Sequence, residues 1–202
     1  MEILQPLLEL ARSGGWVMIP LGAVSLIMWT LIAERMMTFS RLTRGDMDIQ
    51  SAVHAVQGEP VNHFGHGLRS TLMRNYTRDR TGTPELDSRI LQECSLMLRP
   101  LLSRNLSVIA VLGSVAPLLG LLGTVSGMIA TFNVISAIGT GNARPLAGGI
   151  SEALVATEAG LLVAIPGLLL SAQLSRRASR LEHHLDQTIL VLQHHLRGDK
   201  TS

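Results

Sequence analysis

Hydroxyl side chains interrupt the two longest apolar stretches of this sequence. Thr124 and Thr131 lie in the first stretch, and Thr157 and Ser171 lie in the second. A hydroxyl both donates and accepts hydrogen bonds, but it does not hold a charge near neutral pH. The chemistry that these groups could carry is therefore proton relay to water or to a passing acid. The alternative is that each hydroxyl bonds a carbonyl of its own helix.

Two carboxylates, Glu152 and Glu158, lie in the second of these stretches. An acid near the centre of a membrane helix opposes insertion by about 2.5–3.5 kcal/mol, so neither side chain is expected to face lipid. Both lie about 100° or more around the helix from Thr157, which predicts a place at a stripe edge or a subunit contact. Glu152 is also consistent with a snorkelling or helix-start charge. Glu158 is deeper, and an intramembrane acid indicates function.

Both stretches carry a row of small residues at intervals of three and four. At about 100° per residue, each row falls within roughly 80° of the circumference of a helix. In a bilayer such a row permits close helix packing, or it lines a narrow, mildly polar path, and the residue types leave both alternatives open. The first row is Gly113, Pro117, Gly120, Thr124, Gly127 and Thr131, and the second is Ala153, Thr157, Gly160, Ala164, Gly167 and Ser171.

Three apolar runs are long enough to cross a bilayer as helices. Residues 16–33 include no charge over 18 positions, and residues 106–135 include none over 30. Residues 150–174 have only two charges over 25 positions. A span needs about 20 apolar residues, and only 16% of the chain is charged. The sequence therefore predicts an all-α integral membrane protein with three transmembrane helices in contact with lipid.

The distribution of positive charge predicts the orientation of these spans. Segment 34–105 has ten arginines, and the tail after Leu174 has five positive residues. The N-terminal flank and the loop between the second and third spans have one each, Arg12 and Arg144. By the positive-inside rule, the N-terminus lies outside the cytoplasm, whereas the middle segment and the C-terminal tail are cytoplasmic.

The second and third spans are predicted to extend into a cytoplasmic helical bundle. Thr83 and Pro84 form a helix start, with a hydroxyl cap, from which one long, proline-bent helix runs into the second span. An apolar face of the tail can pair with the leucine-rich face of 86–102. That tail face comprises Leu181, Leu185, Ile189, Leu192 and Leu196. The predicted segments are an outer amphipathic segment at 1–15, spans at 16–33, 106–135 and 150–174, a cytoplasmic domain at 34–105, a periplasmic loop rich in Gly and Pro at 136–149, and a cytoplasmic helical tail at 175–202.

Other classes of function find no support in the sequence. Only 3% of residues are aromatic, so few rings can stack on bases and nucleic-acid binding is not expected. Cys94 is the single cysteine, which excludes an internal disulfide and a cysteine-based zinc site. The pairs His183-His184 and His194-His195 are predicted to be solvated or packed on the tail helix rather than to bind metal. No catalytic or nucleotide-binding motif is present, so neither an enzyme activity nor a cofactor is predicted.

Two motifs in the second and third spans resemble those of a known family. The segment GSVAPLLGLLGTVSG at 113–127 is followed by GISEALVATEAGLLVAIP at 149–166. In this order and at this separation, they are similar to the motifs of the MotA/TolQ/ExbB proton-channel family, above all to its ExbB and TolQ branches. The pair Glu34-Arg35 after the first span also fits. Three spans argue against MotA proper, which has four.

The resemblance implies a homopentamer in a bacterial inner membrane. Its second and third helices would surround two helices of a single-span ExbD/TolR-type partner that carries a transmembrane Asp, and the complex would drive a TonB- or TolA-like protein. The resemblance also implies that Thr124 and Thr157 are pore threonines and that Glu152 is the acid of the family motif. Glu158 departs from the apolar or amide residue expected after that threonine.

The resemblance therefore implies an ExbB-like stator subunit that couples the proton-motive force to TonB-dependent transport. The alternatives are a TolQ-like subunit of the Tol-Pal envelope system, a passive membrane scaffold whose rows only pack helices, and a metal-sensing protein that uses the histidine pairs. The residues predicted to line the proton path are Thr124, Thr157, Glu152, Glu158, Thr131 and Ser171. Those predicted to pack helices are Gly113, Pro117, Gly120, Gly123, Gly127, Gly160, Ala164 and Gly167.

Overall fold

The computed structural model describes residues 14–57, 65, 67–139 and 143–198. Those residues form six helices and no strand. Three helical stretches are long and apolar enough to cross a membrane, which confirms the predicted all-α membrane fold. The predicted amphipathic segment at 1–15 lies almost entirely outside the described residues. The helices are α1 (Met18–Thr43), α2 (Ile49–Gln57), α3 (Leu68–Asp79), α4 (Pro84–Ser103), α5 (Leu106–Ile138) and α6 (Ala143–Gly198).

The helix that leads into the second span is interrupted rather than bent. Helix α4 ends at Ser103 and α5 begins at Leu106. Between them Asn105 adopts a positive φ of 60°, a conformation that asparagine tolerates better than most residues, and the Arg104 N–H donates to the Pro100 carbonyl. The prediction of one continuous helix bent by proline was wrong, because the chain turns at Asn105 while Pro100 stays inside α4.

Helix α6 begins earlier than the Gly/Pro-rich loop suggested. It starts at Ala143 and runs for 56 residues, so Pro145, Gly148 and Gly149 are helical rather than part of a turn. Proline is well suited to a first helical turn, where its missing N–H costs no hydrogen bond. Residues 140–142 lie outside the described residues. The points at which the chain enters and leaves the membrane stay a prediction.

The chain divides into two compact units, each packed around its own core. The first unit comprises Met1–Ile32 and Ser107–Ala172, and the second comprises Ala33–Leu106 and Gln173–Ser202. In the second unit the predicted apolar face of the tail is confirmed, since Leu185, Ile189, Leu192 and Leu196 are buried and Leu181 is half-buried.

Polar contacts join the tail of α6 to α4 in the second unit. Arg99 and Asp186 form an ion pair at 2.6 Å, and the Gln193 side-chain amide donates to the Ser88 carbonyl at 3.3 Å. These two contacts confirm the predicted pairing of the tail with 86–102.

Cys94, also on α4, is buried, as predicted for a small packed apolar group. Burial raises the pKa of its thiol.

The N-terminus of α4 is held by Asp87 rather than by Thr83. Thr83 occupies the cap position in an extended conformation but its side chain makes no capping hydrogen bond, so the predicted hydroxyl cap was wrong. Instead, the buried Asp87 carboxylate accepts hydrogen bonds from the Thr81 N–H, the Thr81 hydroxyl and the Gly82 N–H. Arg80 lies 3.7 Å from the same carboxylate. Asp87 ties the turn before α4 to the helix.

Candidate functional site

The small-residue rows of α5 and α6 pack against each other within the first unit. A Cβ added at Gly160 would lie 2.9 Å from the Ala116 carbonyl oxygen and 3.0 Å from the Gly120 Cα. A Cβ at Gly127 would lie 2.8 Å from the Ala153 Cβ. The two backbones approach so closely because these residues have no side chain beyond Cβ. We call this contact the α5/α6 seam, formed by Ala116, Gly120, Gly127, Ala153 and Gly160.

Helix α1 covers one edge of the seam. Leu21 is buried in one cluster with Ala116, Ala159 and Ala164. A Cβ at Gly123 would lie 3.8 Å from the Val17 Cβ and would also collide with the Ala156 side chain. Helix α1 also contacts α5 and α6 at the two ends of this edge. At one end the Trp16 indole N–H donates to the Ser126 hydroxyl at 3.2 Å. At the other end Gly167 lies against the Met28 side chain.

Thr124 and Thr157 lie on the opposite edge of the seam. Each directly follows a residue of the α1-covered edge, Gly123 or Ala156, and consecutive helical residues are about 100° apart. Both threonines are half-buried. The two predicted pore threonines thus lie on the same edge of the seam, one from each helix, on the side away from α1.

The hydroxyls of these two threonines differ in how firmly they are held. The Thr124 hydroxyl donates to the Leu121 carbonyl at 2.7 Å, a well-formed bond. The Thr157 hydroxyl lies 3.3 Å from the Ala153 carbonyl oxygen and 3.4 Å from that of Gly120, both long for a hydroxyl donor. It has a single proton for two weak acceptors, so it can donate to another group at little cost.

The other predicted members of the two rows lie in packing positions within the chain. Thr131 and Ser171 are buried, and the Thr131 hydroxyl donates to the Gly127 carbonyl at 2.9 Å. A Cβ at Gly113 would lie 3.0 Å from the Leu168 Cδ2. Pro117 lies inside α5. The glycines of the two rows therefore serve close helix packing, which was one of the two alternatives. The two central threonines, Thr124 and Thr157, lie at the edge of the seam.

Glu152 lies at the N-terminal end of α1. A Cβ at Gly15, which has a positive φ of 70°, would overlap the Glu152 carboxylate. The first turns at this end run from Gly15 to Met18 and from Trp16 to Ile19. A carboxylate is favourable at a helix N-terminus because unpaired N–H groups leave it partly positive. The Glu152 carboxylate thus lies beside the start of α1 and away from the start of its own helix, which lies nine residues earlier at Ala143.

Glu158 lies on the outer surface of α6, a further 100° around from Thr157. Its side chain is exposed, and its neighbours Leu154, Leu161 and Leu162 are 64%, 47% and 65% exposed. An exposed acid among exposed leucines is unstable against lipid. The two acids that were predicted to line the proton path therefore lie apart. Glu152 lies against the start of α1, and Glu158 lies on the face of α6 opposite to the seam.

The histidine pairs of the tail are exposed. In the described part of the chain, no group of three or more His, Cys, Asp or Glu side chains is arranged to hold a metal ion. No observation therefore favours the metal-sensing alternative.

Sequence reasoning missed several buried alanines in the seam and beside it. Ala116, Ala156 and Ala159 are 0%, 1% and 4% exposed, and they extend the rows toward α1. The available signal was spacing, since Ala116 lies four residues before Gly120, Ala156 lies four before Gly160, and Ala159 lies three after Ala156. The two predicted rows consisted mainly of glycines and hydroxyl residues, so they included only part of the surface through which each helix packs.

Comparison with known proteins identifies similar sequences over most of the chain. Residues 61–187 match the family model described as the MotA/TolQ/ExbB proton channel family. The biopolymer transport protein exbB1 of Vibrio cholerae is 32% identical over 96% of this chain and 90% of its own length. The biopolymer transport protein ExbB of Pseudomonas putida is 32% identical over 76% of this chain, which spans about half (51%) of that protein. The Tol-Pal system protein TolQ of Haemophilus influenzae is 24% identical over 82% of this chain and 81% of its own length.

Proposed function

This chain belongs to the MotA/TolQ/ExbB proton channel family, and we propose that it is an ExbB-like subunit that couples the proton-motive force to TonB-dependent transport. In this proposal five copies form a ring around two helices of an ExbD/TolR-type partner. Family membership and the three apolar helices make it a multi-pass membrane protein and a member of a transport-energising family.

The observation that carries the proposal is the pair of threonines on one edge of the seam. Thr124 and Thr157 come from different helices, yet both lie on the edge of the seam that α1 leaves uncovered. In a ring whose lumen faces this edge, each copy would present two hydroxyls, and five copies would present ten. Such a surface can hydrogen-bond water or a carboxylic acid without carrying a charge of its own.

The proposed mechanism requires a titratable group that this surface does not supply. A threonine relays a proton through hydrogen bonds but does not store it near neutral pH. The charge would therefore change on a transmembrane Asp of the partner, and the Thr157 hydroxyl would hydrogen-bond that acid in the lumen. Each proton that crosses the membrane releases about 2.3 kcal/mol per 100 mV. Several protons would move the partner within the ring and drive a TonB-like protein.

The remaining polar residues of the spans take supporting roles in this proposal. Glu158 lies on the outer face of α6, where a neighbouring copy would cover it in the ring and remove it from lipid. Glu152 holds the start of α1 and lines the pathway only at its outer end. Thr131 and Ser171, which are buried within one chain, would line the path only where the ring opens the seam.

The orientation follows from charge. We place the N-terminus in the periplasm, with the second unit, including the C-terminal tail, in the cytoplasm of a bacterium, because positive residues concentrate in that unit.

The decisive experiment measures proton flux through the assembled complex. The chain is co-expressed with a single-span partner that carries a transmembrane Asp, the complex is reconstituted into vesicles, and flux is followed with a pH-sensitive dye under an imposed potential. The double substitution Thr124→Ala/Thr157→Val is expected to abolish flux while native mass spectrometry still detects the assembled ring.

Ser114→Ala is the matched control, because the Ser114 hydroxyl is exposed on α5 and bonds the Ala110 carbonyl at 3.0 Å. It is expected to leave flux unchanged. Full flux through the double variant would contradict the pore role, and a ring of another copy number would contradict the pentamer.

A TolQ-like role is the second candidate, since the chain is also similar to a TolQ protein. The two roles are distinguished by the partner that co-purifies, TonB-like or TolA-like. A passive scaffold is contradicted if the double variant assembles but conducts no protons.

A further inference from the structure

A cationic pocket lies in the second unit between the C-terminal part of α1 and the part of α6 that follows the third span. It encloses a cavity of about 450 Å³, within the range of small-molecule sites. Three arginines supply the charge, a histidine and two hydroxyls add hydrogen-bonding groups, and two apolar side chains complete the wall. The lining residues are Phe39, Ser40, Thr43, Arg44, Arg177, Arg180, Leu181 and His184.

Among the residues that the structure describes, no carboxylate forms an ion pair with the arginines of this pocket. No carboxylate of the described residues lies within 4.0 Å of Arg44, Arg177 or Arg180. The lining itself contains no acid. Three like charges around one cavity repel each other, so an anion that enters the cavity is stabilised by all of them, and an arginine can bind a phosphate through two parallel hydrogen bonds.

The position along the helices favours a lipid over a free ion. Arg177 is three residues beyond the predicted end of the third span at Leu174, which corresponds to about 4.5 Å along the helix. That distance falls within the headgroup layer, which is about 5–7.5 Å deep on each side because a bilayer of about 40–45 Å has a hydrocarbon core of about 30 Å. Arg180 lies one turn further, and a long arginine side chain can reach back toward the interface.

An apolar surface continues from the pocket toward the predicted end of the first span. A neighbouring open cavity shares Ser40 and Arg44 with the pocket and is also lined by Met36, Met37 and Arg41. Met36 and Met37 are 47% and 58% exposed. On α1, Met36 and Met37 lie nearer the predicted end of the first span than Arg41 and Arg44 do, which is the order of acyl chain and phosphate in a phospholipid.

We infer that the cationic pocket binds the phosphate headgroup of an anionic phospholipid, with Met36 and Met37 against the glycerol and upper acyl chain. Zwitterionic lipids fit less well, because no carboxylate among the described residues lines the pocket to receive a choline or ethanolamine group. The inference does not depend on proton conduction or on the number of copies in a ring.

Lipid binding to the purified chain in detergent tests this inference. Titrations with dioleoylphosphatidylglycerol and dioleoylphosphatidylcholine are followed by native mass spectrometry. The anionic lipid is expected to bind at least tenfold more tightly. Arg177→Gln/Arg180→Gln is expected to lose at least tenfold of this affinity, and Arg44→Gln, on the other wall, is expected to weaken binding while circular dichroism shows an unchanged helix content.

The matched control is Arg89→Gln/Arg176→Gln, which removes two exposed arginines outside the pocket. It is expected to change the affinity less than twofold. An equal loss in this control would indicate general electrostatic attraction and overturn the inference, as would equal binding of the two lipids. Inorganic phosphate that binds as tightly as the anionic lipid would assign the pocket to a free anion and also overturn it.

Discussion

The Thr157 hydroxyl oxygen lies 3.4 Å from the Gly120 carbonyl oxygen, across the seam between the second and third spans. This distance is long for a hydrogen bond, and the approach exists because Gly120 has no side chain and a Cβ there would lie 3.0 Å from the Ala156 carbonyl oxygen. One seam thus combines tight glycine packing with a loosely held hydroxyl. The close contact positions Thr157, and because both of its hydrogen bonds are long, its hydroxyl can donate to another group.

Substitutions at Thr157 separate the effect of the hydroxyl from that of side-chain shape. Thr157→Ser keeps the hydroxyl and is expected to retain most proton flux, whereas Thr157→Val keeps the shape and is expected to reduce flux by at least about tenfold, as for a lost proton-transfer group. Dye-based flux in reconstituted vesicles measures both. Equal flux in the two variants would show that the hydroxyl takes no part.

Overpacking the seam is expected to disrupt the first unit. At Gly160 a Cβ would already lie 2.9 Å from the Ala116 carbonyl oxygen, so Gly160→Val is expected to cost at least about 1–3 kcal/mol in stability. Thermal unfolding in detergent, followed by circular dichroism, measures the loss.

Gly22→Ala is the control, because nothing lies within 4 Å of a Cβ at that helical position. It is expected to stabilise the protein by up to about 1 kcal/mol, since alanine is a better helix former. If Gly160→Val unfolds at the same temperature as the unmodified chain, the close contact at the seam is not a determinant of stability.

Removal of the Asp87 carboxylate is expected to destabilise the second unit. Asp87→Ala leaves the Thr81 and Gly82 donors without their acceptor, at a cost of at least about 2 kcal/mol for charged hydrogen bonds. Thr83→Ala removes a hydroxyl that caps nothing and is expected to change stability by less than about 0.5 kcal/mol. The free energies of unfolding of both variants are measured by chemical denaturation. A larger loss in Thr83→Ala than in Asp87→Ala would contradict the role of Asp87 and identify Thr83 as the cap.

Tyr76 is expected to titrate far above an ordinary tyrosine. Burial, and then the nearby Asp87 carboxylate, raises its pKa from 10.0 to about 12. Because the folded pKa is the higher one, the contribution to stability is complete below pH 10 and is lost as the pH rises toward 12. Tyr76 is the single tyrosine, so phenolate absorbance reports it alone.

The unfolded chain in denaturant is the reference, and its tyrosine is expected to titrate near 10.0, the ordinary value. Tyr76→Phe is expected to abolish the signal. Titration of the folded chain near that ordinary value would contradict the burial of Tyr76.

Local signals predicted much of the fold but misplaced its interruptions. The long apolar runs predicted three apolar helices, and the leucine spacing predicted the buried tail face. The break at Asn105 and the early start of α6 at Ala143 were not predicted. Glycine, proline and asparagine are compatible with both a turn and a helix end, so the choice between them depends on what surrounding residues pack against.

The sequence by itself determined that α5 and α6 carry matching small-residue faces, because the period of a helix fixes which side chains share a face whatever lies around it. Only the tertiary structure decided how those faces are used. Helix α1 covers the edge marked by Gly123 and Ala156, and Thr124 and Thr157 are left on the other edge. That division depends on contacts between residues more than a hundred positions apart, and no local pattern encodes which side of a seam a third helix will bury.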